Sequence, residues 1–230
     1  MEDGSWDAIP DSWVWDPSSR VWASLPPIPA GEARGSATMG VFGDKIVLAG
    51  GMKTLEAWIG GLQDSVTVVS IFDTKKKVWL PVPVAAKNIP EARDHAGGAV
   101  VGDKFYVLGG RDHGQHNVKD TVFVLGLRDL EKGWRTSAGR LPTPRGGLCA
   151  GVVGDKVYTF GGEGNTEVAS GVFNETEVFD ARRERWERLG QMSVPRHGTS
   201  AVGVGGKVYI PGGGVAIGPG PVATFDVFVP

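Results

Sequence analysis

Three of the chain's four histidines lie within residues 92–116, a stretch that also holds arginines and acids. Asp94 directly precedes His95, and a carboxylate next to an imidazole can orient the ring as a general base. His113 and His116 are spaced like two ligands of a metal site, but no third clustered histidine or cysteine accompanies them. We therefore expect no metal and no cofactor, and we treat the stretch as a candidate binding or proton-transfer surface.

An arginine opens each of four sequence blocks that align without a gap. In every block it lies nine residues before a turn glycine and sixteen before the first residue of a Gly-Gly pair. A guanidinium group matches a carboxylate in a bidentate fork, so a set of such residues could bind an anion. The four arginines are Arg34, Arg93, Arg145 and Arg196.

Each block predicts a β-hairpin, because two apolar runs flank a Gly-Asp-Lys or Gly-Gly-Lys turn. A third apolar run follows, and an Asp-x5-Trp signature then indicates a short fourth strand. No helical periodicity is present, and four strands per repeat of about 50 residues are typical of a β-propeller. We therefore predict one all-β domain, residues 1–230, with four-stranded antiparallel blades. It comprises a partial repeat at 13–24 and repeats at about 34–82, 93–137, 145–189 and 196–228.

The closing Gly-Gly, the tyrosine before it (Tyr106, Tyr158, Tyr209) and the Asp-x5-Trp spacing resemble kelch repeats over residues 13–228. The segments "RDHAG" and "PRHGTSAVGVGGKVYIPGGG" are similar to fungal galactose-oxidase-like or kelch proteins. The copper-radical chemistry of galactose oxidase is not expected here. All three tyrosines stand at the repeated second-strand position, and the single cysteine, Cys149, lies in a first strand.

Two architectures remain open for four repeats, because kelch propellers usually have six or seven blades. In a four-bladed ring, the strand around Trp22 would complete the last blade and remove the sheet edges. In the alternative, the chain is an incomplete part of a six-bladed parent, with edges that are exposed or shielded by self-association.

The antiparallel hairpin places the start of each first strand beside the end of the second strand, at one rim that we call the mouth. The resemblance implies arginines at the mouth that hold acidic peptides, at positions matched here by Arg93, Arg145, Arg196 and Arg111. Alternatively, the repeated arginines bond blade carbonyls, Glu32 or Glu91. The ligand-binding candidates are Arg34, Arg93, Asp94, His95, Arg111, His113, Arg145, Glu163, Asn165, Arg196 and His197.

Three functions follow from these residues. The first is a non-enzymatic interaction module whose arginine-lined mouth binds a peptide or a small anionic ligand. The second is implied by the resemblance: an isomerase, mutarotase or cyclase of fungal secondary metabolism, with His95 or Glu163 transferring a proton on a carboxylate-bearing molecule. The third is a structural or truncated product without a competent site.

Composition excludes several partner classes. With 24 basic and 26 acidic residues and no basic run, nucleic acid is not expected. No apolar stretch approaches the roughly 18–20 residues that span a bilayer, and the acidic N-terminus lacks the apolar region of a signal peptide. We expect a cytoplasmic location for the chain as it stands. The sequon at Asn174 favours a secreted parent as the alternative.

Overall fold

The computed structural model describes residues 5–56, 61–218 and 220–230. These residues fold into β-strands joined by turns, with one short 3-10 turn at Leu130–Lys132, and contain no helix long and apolar enough to span a bilayer. The strands are β1 (Ser5–Asp7), β2 (Ser12–Asp16), β3 (Val21–Leu25), β4 (Thr38–Phe42), β5 (Lys45–Ala49), β6 (Met52–Glu56), β7 (Gln63–Ser65), β8 (Val69–Asp73), β9 (Val78–Leu80), β10 (Gly97–Val101), β11 (Lys104–Leu108), β12 (Val122–Gly126), β13 (Trp134–Thr136), β14 (Cys149–Val153), β15 (Lys156–Phe160), β16 (Glu175–Asp180), β17 (Arg185–Gln191), β18 (Val202–Val204), β19 (Lys207–Pro211) and β20 (Phe225–Phe228).

The sheets confirm the predicted blades. Blade 1 has the order β4-β5-β8-β9, blade 2 β10-β11-β12-β13 and blade 3 β14-β15-β16-β17, each antiparallel throughout. Blade 4 contains β18, β19 and β20. The hairpin β2-β3 precedes blade 1, and a small sheet, β1-β6-β7, extends blade 1 beyond its Gly-Gly pair.

Two-residue turns join the first and second strands, as the repeats predict. In blade 2, Val101 pairs with Lys104 across Gly102 and Asp103, and Gly102 has φ +61°. Glycine at the first central position matches a hairpin turn whose twist suits the flanking strands. This turn fixes the register that brings the start of β10 beside the end of β11.

The core lies between blades and not inside each one. Side chains of β5 and β8 pack against β11 and β12, and those of β10, β11 and β12 pack against β15 and β16. A third cluster joins blade 3 to Val208 and Ile210 of blade 4. Tyr106 packs edge-on against Phe179 of the next blade, with ring centroids 5.5 Å apart. Each complete blade is therefore held by its neighbours, as expected for stacked repeats.

The two ends of the chain do not pair as the four-bladed ring requires. Among the described strands, the sheet partner of β3 is β2, and that of β20 is β19. The predicted completion of the last blade by the strand around Trp22 is therefore absent from these residues. Trp22 is 65% exposed and Phe225 is 62% exposed, so apolar surface remains at both ends of the row of blades.

Candidate functional site at the mouth of the blades

The four repeated arginines are buried inside the blades, at 0–7% exposure. Arg145 shows their role: its Nε donates to Gly161 O at 2.6 Å, and its Nη1 donates to Glu177 Oε2 at 2.6 Å. Arg34 and Arg196 donate to the same repeat position, at Gly50 O and Gly212 O. Such bonds satisfy backbone carbonyls where the second strand ends.

These contacts correct the expected ring of arginines around an open mouth. Three of the four side chains donate to the carbonyl sixteen residues later in their own hairpin. Arg93 instead donates to Ala92 O and to the side chains of Glu91 and Thr121. Burial lowers the pKa of Arg145, and that of Arg34 to about 10, although neighbouring carboxylates act against the shift. The burial of these arginines and their internal hydrogen bonds give them a structural role, which was the alternative interpretation.

The innermost backbone of the mouth repeats from blade to blade. Two residues after each repeated arginine, the chain adopts a left-handed conformation, with φ between +51° and +63°. His95 N donates to Ser36 O at 3.2 Å, Gly147 N to His95 O at 2.7 Å, and Gly198 N to Gly147 O at 3.0 Å. Equivalent residues of successive blades are thus adjacent, which brings Ser36 of blade 1 beside His95 of blade 2.

Asp94, His95 and Arg111 meet at the mouth of blade 2. Asp94 and Arg111 pair across the extended hairpin, where each backbone N–H bonds the other residue's carbonyl. Asp94 Oδ1 lies 2.6 Å from His95 Nδ1 and accepts from Arg111 Nε at 2.9 Å. Ser65 donates its hydroxyl to the other Asp94 oxygen. Asp94 is fully buried, so these donors replace its lost hydration.

The same network continues into blades 3 and 4. Arg111 Nη1 donates to Glu163 Oε1 at 2.8 Å, and His197 Nδ1 lies 3.2 Å from Glu163 Oε2. His197 Nε2 lies 2.8 Å from Ala216 O. We call the five connected residues the mouth cluster: Asp94, His95, Arg111, Glu163 and His197.

The mouth cluster keeps Asp94 ionised. Burial alone would raise the pKa of Asp94, but hydrogen bonds from His95 and Ser65, together with the Arg111 charge, hold it below its ordinary value. Arg111 and Glu163 are each the first residue after a Gly-Gly pair, a position occupied by Met52 in blade 1 and Gly214 in blade 4. The cluster is therefore built from non-repeated residues at repeated positions.

Besides the four repeated arginines, two predicted residues lie outside this cluster. His113 is half exposed and pairs with Asp112, although its backbone N–H reaches Ser65 Oγ at 2.9 Å. Asn165 caps a turn by accepting from Glu167 N at 2.9 Å, and it lines a cleft of about 770 Å³ beside blade 3.

Sequence reasoning missed Ser36 and Ser65. Ser36 could have been found, because it stands at the same repeat position as His95. Ser65 lies in an insertion of blade 1, and no pattern marks it.

No group of three or more His, Cys, Asp or Glu residues in the described part of the chain is placed to hold a metal ion. Cys149 is buried against blade 4, and burial raises the pKa of its thiol to about 12. The chemistry of the mouth therefore rests on imidazole, carboxylate, guanidinium and hydroxyl groups.

Four-stranded antiparallel blades closed by Gly-Gly and packed through a Tyr–Phe contact define a kelch-type β-propeller domain. The chain belongs to the KLHDC2/KLHL20/DRC7 Kelch-repeats domain family, whose model matches residues 7–213. Membership of this family suggests a protein-interaction module.

Relatives include both kelch-named proteins and named enzymes. The chain is 34% identical to the Kelch-like protein terF of Aspergillus terreus over 218 residues, which cover 95% of this chain and 46% of that protein. It is 30% identical to an N-acetylneuraminate epimerase of Vibrio cholerae over 145 residues, 62% of this chain and 34% of the epimerase. It is 28% identical to Kelch domain-containing protein 3 of Bos taurus over 221 residues, which cover 88% of this chain and 56% of that protein. The chain thus spans about half or less of the length of the first two relatives.

Proposed function

We propose that the mouth of the blades binds the carboxylate group of a peptide or of a small organic acid without changing it chemically. The observation that carries the proposal is the mouth cluster, in which ionisable side chains from three blades are connected and largely buried. Burying charged groups costs folding free energy. The repeat does not require these residues, since Met52 and Gly214 replace Arg111 in the outer blades.

Arg111 is the group best placed to receive a ligand carboxylate. Its Nε and Nη1 already contact Asp94 and Glu163, whereas Nη2 faces the His95 ring at 3.1 Å. The side chain of His95 is 23% exposed and that of Arg111 is 4% exposed, so a ligand would approach the guanidinium beside the His95 ring. Two fixed carboxylates hold the guanidinium in place, and this preorganisation lowers the entropic cost of binding.

Isothermal titration calorimetry tests this proposal with three probes: a short peptide with a free α-carboxylate, the same peptide amidated, and N-acetylneuraminate. We expect binding of the free-acid peptide or of the sugar acid, and none of the amidated peptide. The two acids separate a peptide ligand from a small-molecule ligand. A charge-assisted hydrogen bond contributes about 1.5–3 kcal/mol. Arg111→Gln should therefore raise the dissociation constant by about tenfold or more.

Arg182→Gln is the matched control, because Arg182 is 78% exposed and contacts Asp155 at the hairpin-turn end of blade 3. Arg111→Lys is a second variant that keeps the buried charge but removes the guanidinium fork. Circular dichroism checks that each variant is folded. Equal affinity in Arg111→Gln and Arg182→Gln, or no binding of either acid by the unsubstituted chain, would overturn the proposal.

A second function, proton transfer on a bound carboxylic acid, is favoured by the Asp94–His95 pair. The 2.6 Å contact orients the ring through Nδ1 and leaves Nε2 toward the mouth. Glu163 suits this role less well, because Arg111 and His197 occupy its two oxygens. One relative is named an N-acetylneuraminate epimerase.

Anomer exchange of N-acetylneuraminate, followed by NMR, tests this second function. General acid–base catalysis contributes about 10²–10⁴-fold, so His95→Gln should reduce any acceleration by about a hundredfold. No acceleration by the parent chain, or acceleration that survives His95→Gln, would count against it.

A further inference from the structure

The hydroxyl of Ser36, the ring of His95 and the carboxylate of Asp94 stand in line. Ser36 Oγ lies 3.2 Å from His95 Nε2, and His95 Nδ1 lies 2.6 Å from Asp94 Oδ1. A carboxylate only accepts, so Nδ1 carries the ring proton and Nε2 can accept from the serine, whose Oγ lies slightly closer to it than Arg111 Nη2 does, at 3.2 against 3.3 Å. We propose that these residues form a nucleophile–base–carboxylate triad that transfers acyl groups from carboxylic esters.

The repeat explains how two blades assemble this arrangement. Ser36 and His95 occupy equivalent left-handed positions, each with φ +51°, whereas blades 3 and 4 have Gly147 and Gly198 there. A non-glycine residue in this conformation costs about 1–3 kcal/mol, and such strain clusters at functional sites. The backbone bond from His95 N to Ser36 O fixes the two residues side by side.

Solvent exposure decreases from the proposed nucleophile to the base and then to the carboxylate. Ser36 is exposed, the side chain of His95 is 23% exposed, and Asp94 is fully buried. The nucleophile is therefore accessible to solvent, and the carboxylate that orients the base is shielded. This gradient lets a substrate reach Oγ while Asp94 keeps its hydrogen bonds.

Donors for the developing oxyanion lie next to the nucleophile in the chain. The backbone N–H of Ser36 itself and that of the next residue, Ala37, are the candidate donors. A backbone N–H at or just after the nucleophile is a recurrent oxyanion donor in serine hydrolases.

The charges around the imidazole permit it to accept a proton. Arg111 Nη2 approaches the ring nitrogens at 3.1 and 3.3 Å and would disfavour an imidazolium by itself. Asp94 and Glu163 hold that guanidinium at 2.9 and 2.8 Å and balance its charge. The Asp94 carboxylate, in direct contact with the ring, stabilises the imidazolium formed during transfer.

The reaction proceeds in two balanced steps. Ser36 Oγ attacks the ester carbonyl carbon while its proton passes to His95 Nε2, and the bond to the leaving oxygen then breaks as that oxygen takes the proton. An acyl-serine and an alcohol result. Water then attacks the acyl carbonyl carbon while its proton passes to His95 Nε2. The bond to Ser36 Oγ breaks as Oγ takes that proton, which releases a carboxylic acid and restores Ser36. The substrate class is a carboxylic ester small enough to enter the mouth.

Fluorophosphonate labelling of the whole chain, read by intact-mass and peptide mass spectrometry, tests the triad. We expect one adduct per chain at Ser36, and none in Ser36→Ala. His95→Gln should slow labelling and p-nitrophenyl acetate hydrolysis by about a hundredfold. Ser200→Ala, which removes an exposed serine of blade 4, is the matched control and should label like the parent chain.

The proposal fails if the parent chain is not labelled, if the adduct lies at another serine, or if His95→Gln labels at the parent rate. It does not depend on the proposed carboxylate binding. Ser36→Ala should retain affinity for a free carboxylate, because Arg111 is unchanged, and calorimetry on that variant separates failure of one proposal from failure of the other.

Discussion

The repeated arginines and the mouth cluster are two sets of buried charges that lie a few residues apart yet have opposite relations to the fold. Arg145 is satisfied within its own blade, by Gly161 O and Glu177. Arg111 is satisfied across blades, by Asp94 of blade 2 and Glu163 of blade 3. The recurring charge stabilises each blade, whereas the charge that appears once at a repeated position connects neighbouring blades.

Removing a repeated arginine should have the largest effect on stability. Arg145→Met leaves Glu177 buried without its charged partner, and breaking a buried pair costs about 3–5 kcal/mol. Urea denaturation should show that loss, whereas the exposed control Arg182→Met should change the free energy of unfolding by about 0.5 kcal/mol or less. A loss below about 1 kcal/mol in Arg145→Met would remove the distinction between the two sets.

Substitutions in the mouth cluster should destabilise the protein less than loss of a repeated arginine, and their effects should be coupled across blades. Arg111→Met should cost about 2–3 kcal/mol, because Asp94 keeps its bonds to Ser65 and His95. Arg111→Met also leaves the Glu163 carboxylate without its arginine partner. Adding Glu163→Leu removes that carboxylate, so the double variant should be more stable than the sum of the two single changes predicts. A double-mutant cycle in urea measures this coupling, expected at about 1–2 kcal/mol. Strict additivity would contradict a shared network.

A third charged contact, the partly exposed pair of Glu184 with Arg135, joins blades 2 and 3 away from the mouth. Hydrogen bonds from Arg135 and Ser137 lower the pKa of Glu184 from 4.5 to about 2, although burial opposes the shift. A depressed folded-state pKa gives stability that is present above the unfolded value and is lost as the pH falls through the folded value.

Glu184→Gln should therefore cost about 1 kcal/mol at pH 7, because solvent screens the pair with the half-exposed Arg135, and the difference should shrink between pH 4.5 and about 2. Denaturant titrations across this range measure it, with Glu187→Gln, an exposed residue of β17, as the control. A deficit that persists unchanged at pH 2 would show that the contribution is not electrostatic.

The smallest effect is expected at Ser36. Ser36→Gly relieves left-handed strain but adds backbone freedom to the unfolded chain, so the two contributions nearly cancel. Thermal and urea unfolding should agree with the parent chain within about 0.5 kcal/mol. A loss well above 1 kcal/mol would mean that the hydroxyl is part of the fold, as the repeated arginines are.

Most of the fold could be predicted from the sequence. The four aligned blocks, the glycine turns and the tyrosine and tryptophan positions are local patterns, and local patterns determine strands, hairpins and registers. The sequence left the pairing of the strand around Trp22 open, because contact between chain ends depends on the curvature of the row of blades, which no local pattern records. In the described residues this strand pairs with β2 and not with the last blade.

The candidate site was predicted only in outline. Hairpin geometry correctly placed Asp94, His95 and Arg111 at one rim, because the two ends of a hairpin must meet. It could not show that guanidinium groups nine residues before the turn fold back into the sheet, since that depends on side-chain reach to carbonyl acceptors at the end of the second strand. The meeting of Glu163 with Arg111 depends on the side-chain reach between adjacent blades.

By itself, the sequence determined a kelch-type repeat, its strand order and the rim that gathers the polar residues, because each follows from residue spacing. Only the tertiary structure decided which charges are structural and which face the mouth. It also set Ser36 beside His95, since neighbouring blades bring equivalent positions together although 59 residues separate them in the chain.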